Sequence, residues 1–145
     1  MKKITLVLCI GLLLIVASLF INSENAFSKT SHFQHEDWVA PASADKIVNP
    51  LKGNADAVAK GAEIYTSMCV VCHGDKGKGN GVASVGLSPS PANFLSIDVR
   101  NESDGAIFWK LTEGNPPMAS YKSLLTETQR WQVVNYIRHL ETQSK

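Results

Sequence analysis

The sequence CVVCH, residues 69–73, places two thiols three positions apart and an imidazole directly after the second thiol. Residues at this spacing lie on one side of a helical turn, so both sulfurs can reach one edge of a flat ligand. C-x-x-C-H is the attachment signature of c-type haem. Each cysteine forms a thioether with a vinyl group of the porphyrin, and the histidine turns its ring toward the iron. We therefore predict one covalent haem c on Cys69 and Cys72, with His73 as an iron ligand.

Two other uses of a cysteine pair fit the sequence less well. A structural zinc site needs four ligands, usually including a second cysteine pair. The only other cysteine is Cys9, in the apolar N-terminal stretch. A thioredoxin-like redox pair lies beside a βαβ pattern, which this sequence does not have. Haem attachment is therefore the favoured interpretation.

The N-terminal 28 residues have the features of an export segment. Lys2 and Lys3 precede an uncharged apolar stretch, residues 4–21. Ala26 and Ser28 place small side chains three residues and one residue before a possible signal-peptidase cut at Lys29. The apolar stretch approaches membrane-spanning length. Residues 1–28 are thus either a cleaved signal peptide or a retained membrane anchor. Both alternatives predict an exported protein, in the periplasm or on the outer face of the cytoplasmic membrane.

The charge balance excludes one class of partner. Without the export segment the chain has as many acidic as basic residues and is near neutral. Domains that bind nucleic acid carry a clustered basic excess. We therefore expect no nucleic-acid partner.

The rest of the chain divides at Asn54. Residues 29–53 predict an extended lead-in, because they hold Pro41 and Pro50 and show no helical periodicity. This lead-in either tethers the following domain or wraps around it. Residues 54–145 are the predicted folded domain.

Three helices are predicted in this domain. The first starts with Asn54 as its N-cap and ends at the cysteine pair. The second fits Ser103 to Glu113 and is stopped by Gly114. The third starts at Thr126, where Gln129 completes a capping box. Because no segment shows strand alternation, we predict an all-α domain, whose small core needs a cofactor or other staple.

Met118 is the predicted second axial ligand of the iron. It follows Pro116-Pro117, and loop prolines limit φ and so hold a thioether at a fixed position. Met68 adjoins the cysteine motif and cannot reach the opposite haem face. The alternatives are a five-coordinate iron or one of the three remaining histidines, which are His32, His35 and His139.

Together these motifs resemble class I cytochrome c, specifically the small exported single-haem domains of bacterial respiratory chains. The resemblance covers residues 54–142 and rests on GAEIYTSMCVVCHGDKGKGNG, PANF, GNPPMASY and WQVVNYIRHL. It implies the cytochrome c fold, a few helices wrapped around one haem with an exposed porphyrin edge. It also implies a crossing of the first and last helices, with Gly61 and Tyr65 on the first helix facing Val133 and Tyr136.

The resemblance further implies a proline whose carbonyl accepts the Nδ1–H of His73, which would fix the imidazole tautomer. Pro89 and Pro91 are both candidates, and Pro91 is preferred. Three aromatic residues are expected either near the haem and its propionates or in the core: Trp109, Tyr121 and Trp131.

The function implied is one-electron transfer without catalysis. The expected partners are redox proteins, namely a quinol-oxidising complex as donor and a terminal oxidase or reductase as acceptor. Two alternatives remain at this point. One is a haem enzyme or gas sensor with an open iron site, and the other is a structural haem subunit of a respiratory complex.

Overall fold

The computed structural model describes residues 38–143. Its first α-helix, α1, spans Ala55–Met68 and has the predicted N-cap, since Asn54 Oδ1 accepts the N–H of Ala57 at 3.0 Å. This contact satisfies a donor that has no partner inside the helix. The short helix α2, Val70–His73, follows directly and carries the cysteine motif. The predicted end of the first helix at the cysteine pair is confirmed.

Three further α-helices complete the domain. They are α3, Ile97–Asn101; α4, Asp104–Glu113; and α5, Glu127–Thr142. Two 3-10 helices also occur, at Ala44–Lys46 and Val82–Ser84. Between residues 38 and 143 there is no strand, only an isolated bridge between Asn115 and Met118. The all-α prediction is therefore confirmed, whereas α3 was missed because five residues are too few to show a helical period.

The two later predicted helices begin as expected, and the second also ends as expected. Ser103 Oγ accepts the N–H of Ala106 at the start of α4, and Gly114 follows the last residue of α4 with φ of +72°. At the start of α5, Thr126 Oγ1 accepts the N–H of Gln129 and Gln129 Oε1 accepts the N–H of Thr126. This reciprocal pair is the predicted capping box.

The core lies where α1 and α5 cross. The rings of Tyr65 and Tyr136 are 5.1 Å apart there, and Val133 is fully buried beside them. This crossing was expected from the resemblance. The remaining core comes mainly from the apolar faces of α4 and α5 and includes Phe108 stacked on Trp131 at 4.0 Å.

The described part of the lead-in packs on the domain. Ala44 is buried, and the start of α4 lies close against it. A Cβ added to Gly105 would lie under 3.0 Å from the carbonyl oxygen of Ala44. Ser103 Oγ donates to Asp45 at 2.6 Å. Asn49 is buried, and its Nδ2 donates to a carboxylate oxygen of α4 at 2.9 Å. These contacts show that Ala44, Asp45 and Asn49 of the lead-in pack against the start of α4.

The predictions for residues 1–28 and for His32 and His35 lie outside the described residues. None of the helices between residues 38 and 143 has the length and apolar character that a bilayer-spanning segment needs.

Candidate functional site

The cysteine motif forms one tight helical turn. The N–H groups of Cys72 and His73 both donate to the carbonyl of Cys69, at 3.2 and 2.9 Å. Cys69 is buried, Cys72 is half-buried, and neither is in a disulfide. Both sulfurs therefore belong to one turn that continues from α1, which is the arrangement that double attachment to one porphyrin edge requires.

A glycine-rich loop closes over the end of this turn. Gly79 N–H donates to the carbonyl of His73 at 2.9 Å, and Gly81 N–H donates to that of Cys72 at 3.0 Å. Gly74 has φ of +74°, a conformation that glycine adopts without strain, and its carbonyl accepts the buried hydroxyl of Tyr65 at 2.7 Å. The carbonyl groups at the end of α2 are thus satisfied by the loop and do not need water.

The histidine is oriented by a backbone carbonyl, but not by the predicted one. His73 Nδ1 lies 3.2 Å from the carbonyl oxygen of Ala92. The prediction that Pro91 provides this carbonyl is wrong by one residue. The carbonyl oxygen of Pro91 instead points at Gly79. A Cβ added to Gly79 would lie under 3.0 Å from this oxygen. Bonding of Nδ1–H to Ala92 selects the tautomer in which Nε2 carries the lone pair that a metal requires.

Phe94 packs flat against this imidazole. Its ring lies 4.5 Å from that of His73, with 16° between the planes. Phe94 is also fixed through its backbone, because its N–H donates to the carbonyl of Gly77 at 2.8 Å. Burial lowers the pKa of His73, and the contact with Ala92 opposes this effect. The imidazole is therefore held neutral and in one orientation. Phe94 belongs to the PANF motif, but the sequence alone indicates no role for its ring.

The Cys69 thiol is unsuited to redox exchange. Burial raises the pKa of Cys69 to about 12, and the neighbouring Cys72 adds to the rise. Catalytic and disulfide-exchange cysteines have lowered pKa values, because the thiolate is the reactive species. This environment argues against the thioredoxin-like alternative and fits attachment chemistry, in which sulfur ends as a neutral thioether.

Met118 lies in a short closed loop. Its N–H and carbonyl bond to the carbonyl and N–H of Asn115, at 2.8 and 3.0 Å. The Met118 side chain is partly buried and packs against the same hydrophobic cluster as Phe94. Ser120 Oγ fastens the loop further by donating to the carbonyl of Thr112 at 2.6 Å.

Tyr121 ties this loop to the end of α1. Its N–H donates to the carbonyl of Leu111 at 3.1 Å, and its hydroxyl donates to the carbonyl of Met68 at 3.2 Å. Burial raises the pKa of Tyr121, and the charges of Cys69 and Cys72 add to the effect. The Met118 loop is thus attached directly beside the cysteine motif.

The other two aromatic residues of the prediction, Trp109 and Trp131, lie away from this loop. Trp131 is buried against Phe108 in the core, and Trp109 faces Trp38 of the lead-in, with the ring centroids 6.4 Å apart. His139 is exposed on α5. Among residues 38–143, no three or more His, Cys, Asp or Glu side chains are grouped so that they could hold a metal ion by themselves.

Fold and site together define a c-type cytochrome domain. The family described as cytochrome c oxidase, cbb3-type, subunit III matches residues 56–137, and the chain belongs to this family. Its cofactor is therefore a covalently bound c-type haem with its iron. The buried imidazole of His73 and the paired thiols of Cys69 and Cys72 fit that cofactor.

A solved structure shares the fold. It belongs to the Kuenenia stuttgartiensis reducing HAO-like protein complex Kustc0457/Kustc0458 and is 23% identical, with a TM-score of 0.56. The similarity covers 65% of this chain and 49% of the chain in the complex. This protein therefore spans about half the length of that chain. No curated protein sequence matches the chain.

Proposed function

We propose that this protein is an exported one-electron carrier of a respiratory chain, with Cys69 and Cys72 as the haem thioethers and His73 and Met118 as the axial ligands. The observation that carries the proposal is the attachment of the Met118 loop to the end of α1, through the hydroxyl of Tyr121 and the carbonyl of Met68. The bond connects the segment that follows Met118 to the residue before Cys69, and Met118 is the only methionine outside α1 among residues 38–143, which supports Met118 as the second ligand.

A bound haem iron would supply a single-electron couple, and the two residues that would hold the iron are themselves fixed in place. His73 is fixed by Ala92 and Phe94, and the Met118 loop is closed by its bonds to Asn115. Axial ligands held this firmly need little rearrangement when the charge on the iron changes. His/Met ligation also raises the reduction potential, which suits a carrier that accepts electrons from a quinol-oxidising complex.

We assign the remaining features of the sequence to this role. The export segment, residues 1–28, delivers the domain to the periplasm or to the outer face of the cytoplasmic membrane, where residues 4–21 anchor it if they are retained. The partners are redox proteins, a quinol-oxidising complex on one side and a terminal oxidase or reductase on the other. No enzymatic step is assigned to the chain.

The test is the Met118→Ala variant of the haem-loaded protein. We expect the sulfur-to-iron charge-transfer band of the ferric protein to disappear. We also expect the reduction potential to fall, because the variant lacks the methionine ligand that raises it. His139→Ala is the matched control, since His139 is exposed on α5. It should leave both the band and the potential unchanged.

Two results would overturn the proposal. An open-site haem enzyme or gas sensor would bind carbon monoxide in the ferrous state without displacing a ligand, and Met118→Ala would not change its spectrum. A structural haem subunit would be low-spin but would exchange no electrons with soluble partners.

A further inference from the structure

A buried cation at the start of α5 has no carboxylate partner. Arg130 lies in the first turn of this helix and is only 8% exposed. None of the ion pairs within residues 38–143 includes Arg130, and its Nε is buried there without a hydrogen-bond partner. A buried charge is costly unless other groups compensate for it. The groups that the guanidinium does contact therefore indicate what this arginine does.

The charge of Arg130 is compensated by backbone carbonyls and by an aromatic ring. Its Nη1 donates to the carbonyl oxygens of Lys122 and Leu125, at 3.2 and 2.7 Å. Its Cζ lies over the ring of Phe108, 5.1 Å from the centroid. Hydrogen bonds from a charged donor are stronger than neutral ones, and a cation is also attracted to the face of an aromatic ring. One side chain thus fastens both α4 and the segment before α5 to the start of α5.

These contacts lie on both sides of Met118 along the chain. Phe108 belongs to α4, which leads into the Met118 loop, whereas the carbonyls that Arg130 holds belong to the segment that leads out of it. The N–H of Leu125 donates to the carbonyl of Tyr121 at 3.0 Å. The segment held by the guanidinium is therefore continuous with the tyrosine that attaches the loop to α1.

We propose that Arg130 is a positioning residue that keeps Met118 in place as the second axial ligand. This inference rests on the proposed function, because it presupposes that Met118 binds the iron. Met118 can leave the iron only if its loop moves, and movement of the loop would pull the carbonyls of Lys122 and Leu125 away from the guanidinium. A buried guanidinium without those partners is costly, so the open loop is disfavoured. Arg130 thereby helps to keep the site closed to external ligands.

The experiment measures how fast imidazole replaces Met118 in the ferric haem-loaded protein, followed by the loss of the sulfur-to-iron charge-transfer band. At saturating imidazole the rate reports the opening of the loop, because imidazole can bind only after Met118 has left. The variant is Arg130→Leu, which keeps an apolar side chain but has neither charge nor donors. We expect its saturating rate to rise about tenfold or more, since even one hydrogen bond from a charged group is worth about that factor.

Arg138→Leu is the matched control, because it makes the same substitution further along α5. Arg138 pairs with Asp104 and Glu141 and bonds to the carbonyls of Val99 and Glu102, so these partners all lie outside the Met118 loop. We expect the control to unfold at a lower urea concentration than the wild type but to exchange Met118 for imidazole at the wild-type rate. A similar acceleration in both variants would mean that general loss of stability opens the loop, and that result overturns the proposal.

A second measurement uses only the wild-type protein and decides the matter if Arg130→Leu does not fold. Coupling between two sites is reciprocal, so an arginine that stabilises Met118 on the iron must itself be loosened when imidazole displaces Met118. We expect saturating imidazole to speed hydrogen exchange at the Arg130 Nε–H, followed by NMR, several-fold. The Nε–H of Arg138 donates to Asp104 at 2.7 Å and should exchange at an unchanged rate. Unchanged exchange at Arg130 would also overturn the proposal.

Failure of this inference can be distinguished from failure of the proposed function. If the wild-type ferric protein lacks the sulfur-to-iron band, Met118 is not a ligand, and the positioning role of Arg130 falls together with the proposed ligation. If the wild type shows the band and Arg130→Leu exchanges Met118 at the wild-type rate, the positioning role is overturned and the carrier function stands.

Discussion

Gly61 on α1 lies against the backbone of Gln132 on α5, so that a Cβ added to Gly61 would come within 3.0 Å of the Gln132 carbonyl oxygen. The obstructing atom belongs to a helix backbone, which cannot rotate away as a side chain can. The hydrogen atom of glycine therefore sets how closely α1 and α5 approach at their crossing, and through α1 it sets where the cysteine motif lies.

Replacing Gly61 by Ala should destabilise the domain. The added methyl group forces the helices apart, and overpacking of this kind typically costs about 1 to 3 kcal/mol. The free energy of unfolding of the haem-loaded protein, from urea titrations followed by far-UV circular dichroism, measures the change. Lys60→Ala provides the control, since Lys60 is an exposed neighbour on α1. An equal stability of the two variants would contradict the close-approach argument.

Replacing Phe94 by Leu should change the orientation of the imidazole of His73, the proposed iron ligand. Leucine fills much of the same space but offers no flat ring for His73 to stack on. In the ferric protein, the proton shifts of the haem methyl groups depend on the plane of the imidazole, so we expect their pattern to change. Phe108→Leu removes an equally buried, stacked ring that lies against Trp131. It should lower stability but leave the methyl pattern as in the wild type. The same change of pattern in both variants would disprove a specific role for Phe94.

Replacing Asn49 by Ala should loosen the lead-in. Asn49 Nδ2 donates to Asp104 at 2.9 Å, and its Oδ1 accepts from the side chain of Asn135 at 3.3 Å. Removing the amide leaves these buried polar groups short of partners, which typically costs about 1 to 3 kcal/mol. Urea unfolding measures the loss, and limited proteolysis should cut residues 41–53 faster. Val48→Ala changes an exposed neighbour and should have neither effect. Proteolysis at the wild-type rate in Asn49→Ala would be the contrary result.

Asp104 should make the stability depend on pH. Burial alone would raise its pKa, but hydrogen bonds from Asn49 and Arg138, and the charge of Arg138, lower it below the ordinary 3.8. A lowered carboxyl pKa in the folded state adds stability above the ordinary pKa, and this stability is lost as the pH falls through the folded value. Asp104→Asn should therefore cost about 1.5 to 3 kcal/mol at pH 7, the usual worth of hydrogen bonds to a charged group. The difference in the free energy of unfolding between Asp104→Asn and the wild type should become smaller below pH 3.8.

Glu141 is the natural comparison for this pH experiment, because it also pairs with Arg138, at 2.9 Å. Burial raises its pKa in spite of Arg138, so its ionised form is disfavoured on folding. Its contribution has the opposite sign, and stability should increase as the pH falls through its folded pKa. Glu141→Gln should thus cost less at pH 7 than Asp104→Asn. Urea unfolding across the acid range tests both variants, and a pH-independent loss in Asp104→Asn would refute the assignment.

The sequence alone determined the chemistry of the motif and the ends of the main helices. The spacing of the cysteines and histidine indicated haem attachment because covalent geometry leaves few other uses for it. Asn54 and the pair Thr126 and Gln129 predicted helix starts because a cap bonds to residues only three positions away. Such local interactions are contained in a short stretch of sequence.

Tertiary structure decided which groups surround the histidine and where the lead-in lies. The resemblance to class I cytochrome c implied a proline carbonyl, yet the path of the loop turns the carbonyl of Ala92 toward His73 and that of Pro91 toward Gly79. Asn49 bonds to residues 55 and 86 positions further along the chain. The direction of a carbonyl depends on every dihedral angle before it, and contacts at such separations depend on how the helices pack, so neither can be read from a short pattern of residues.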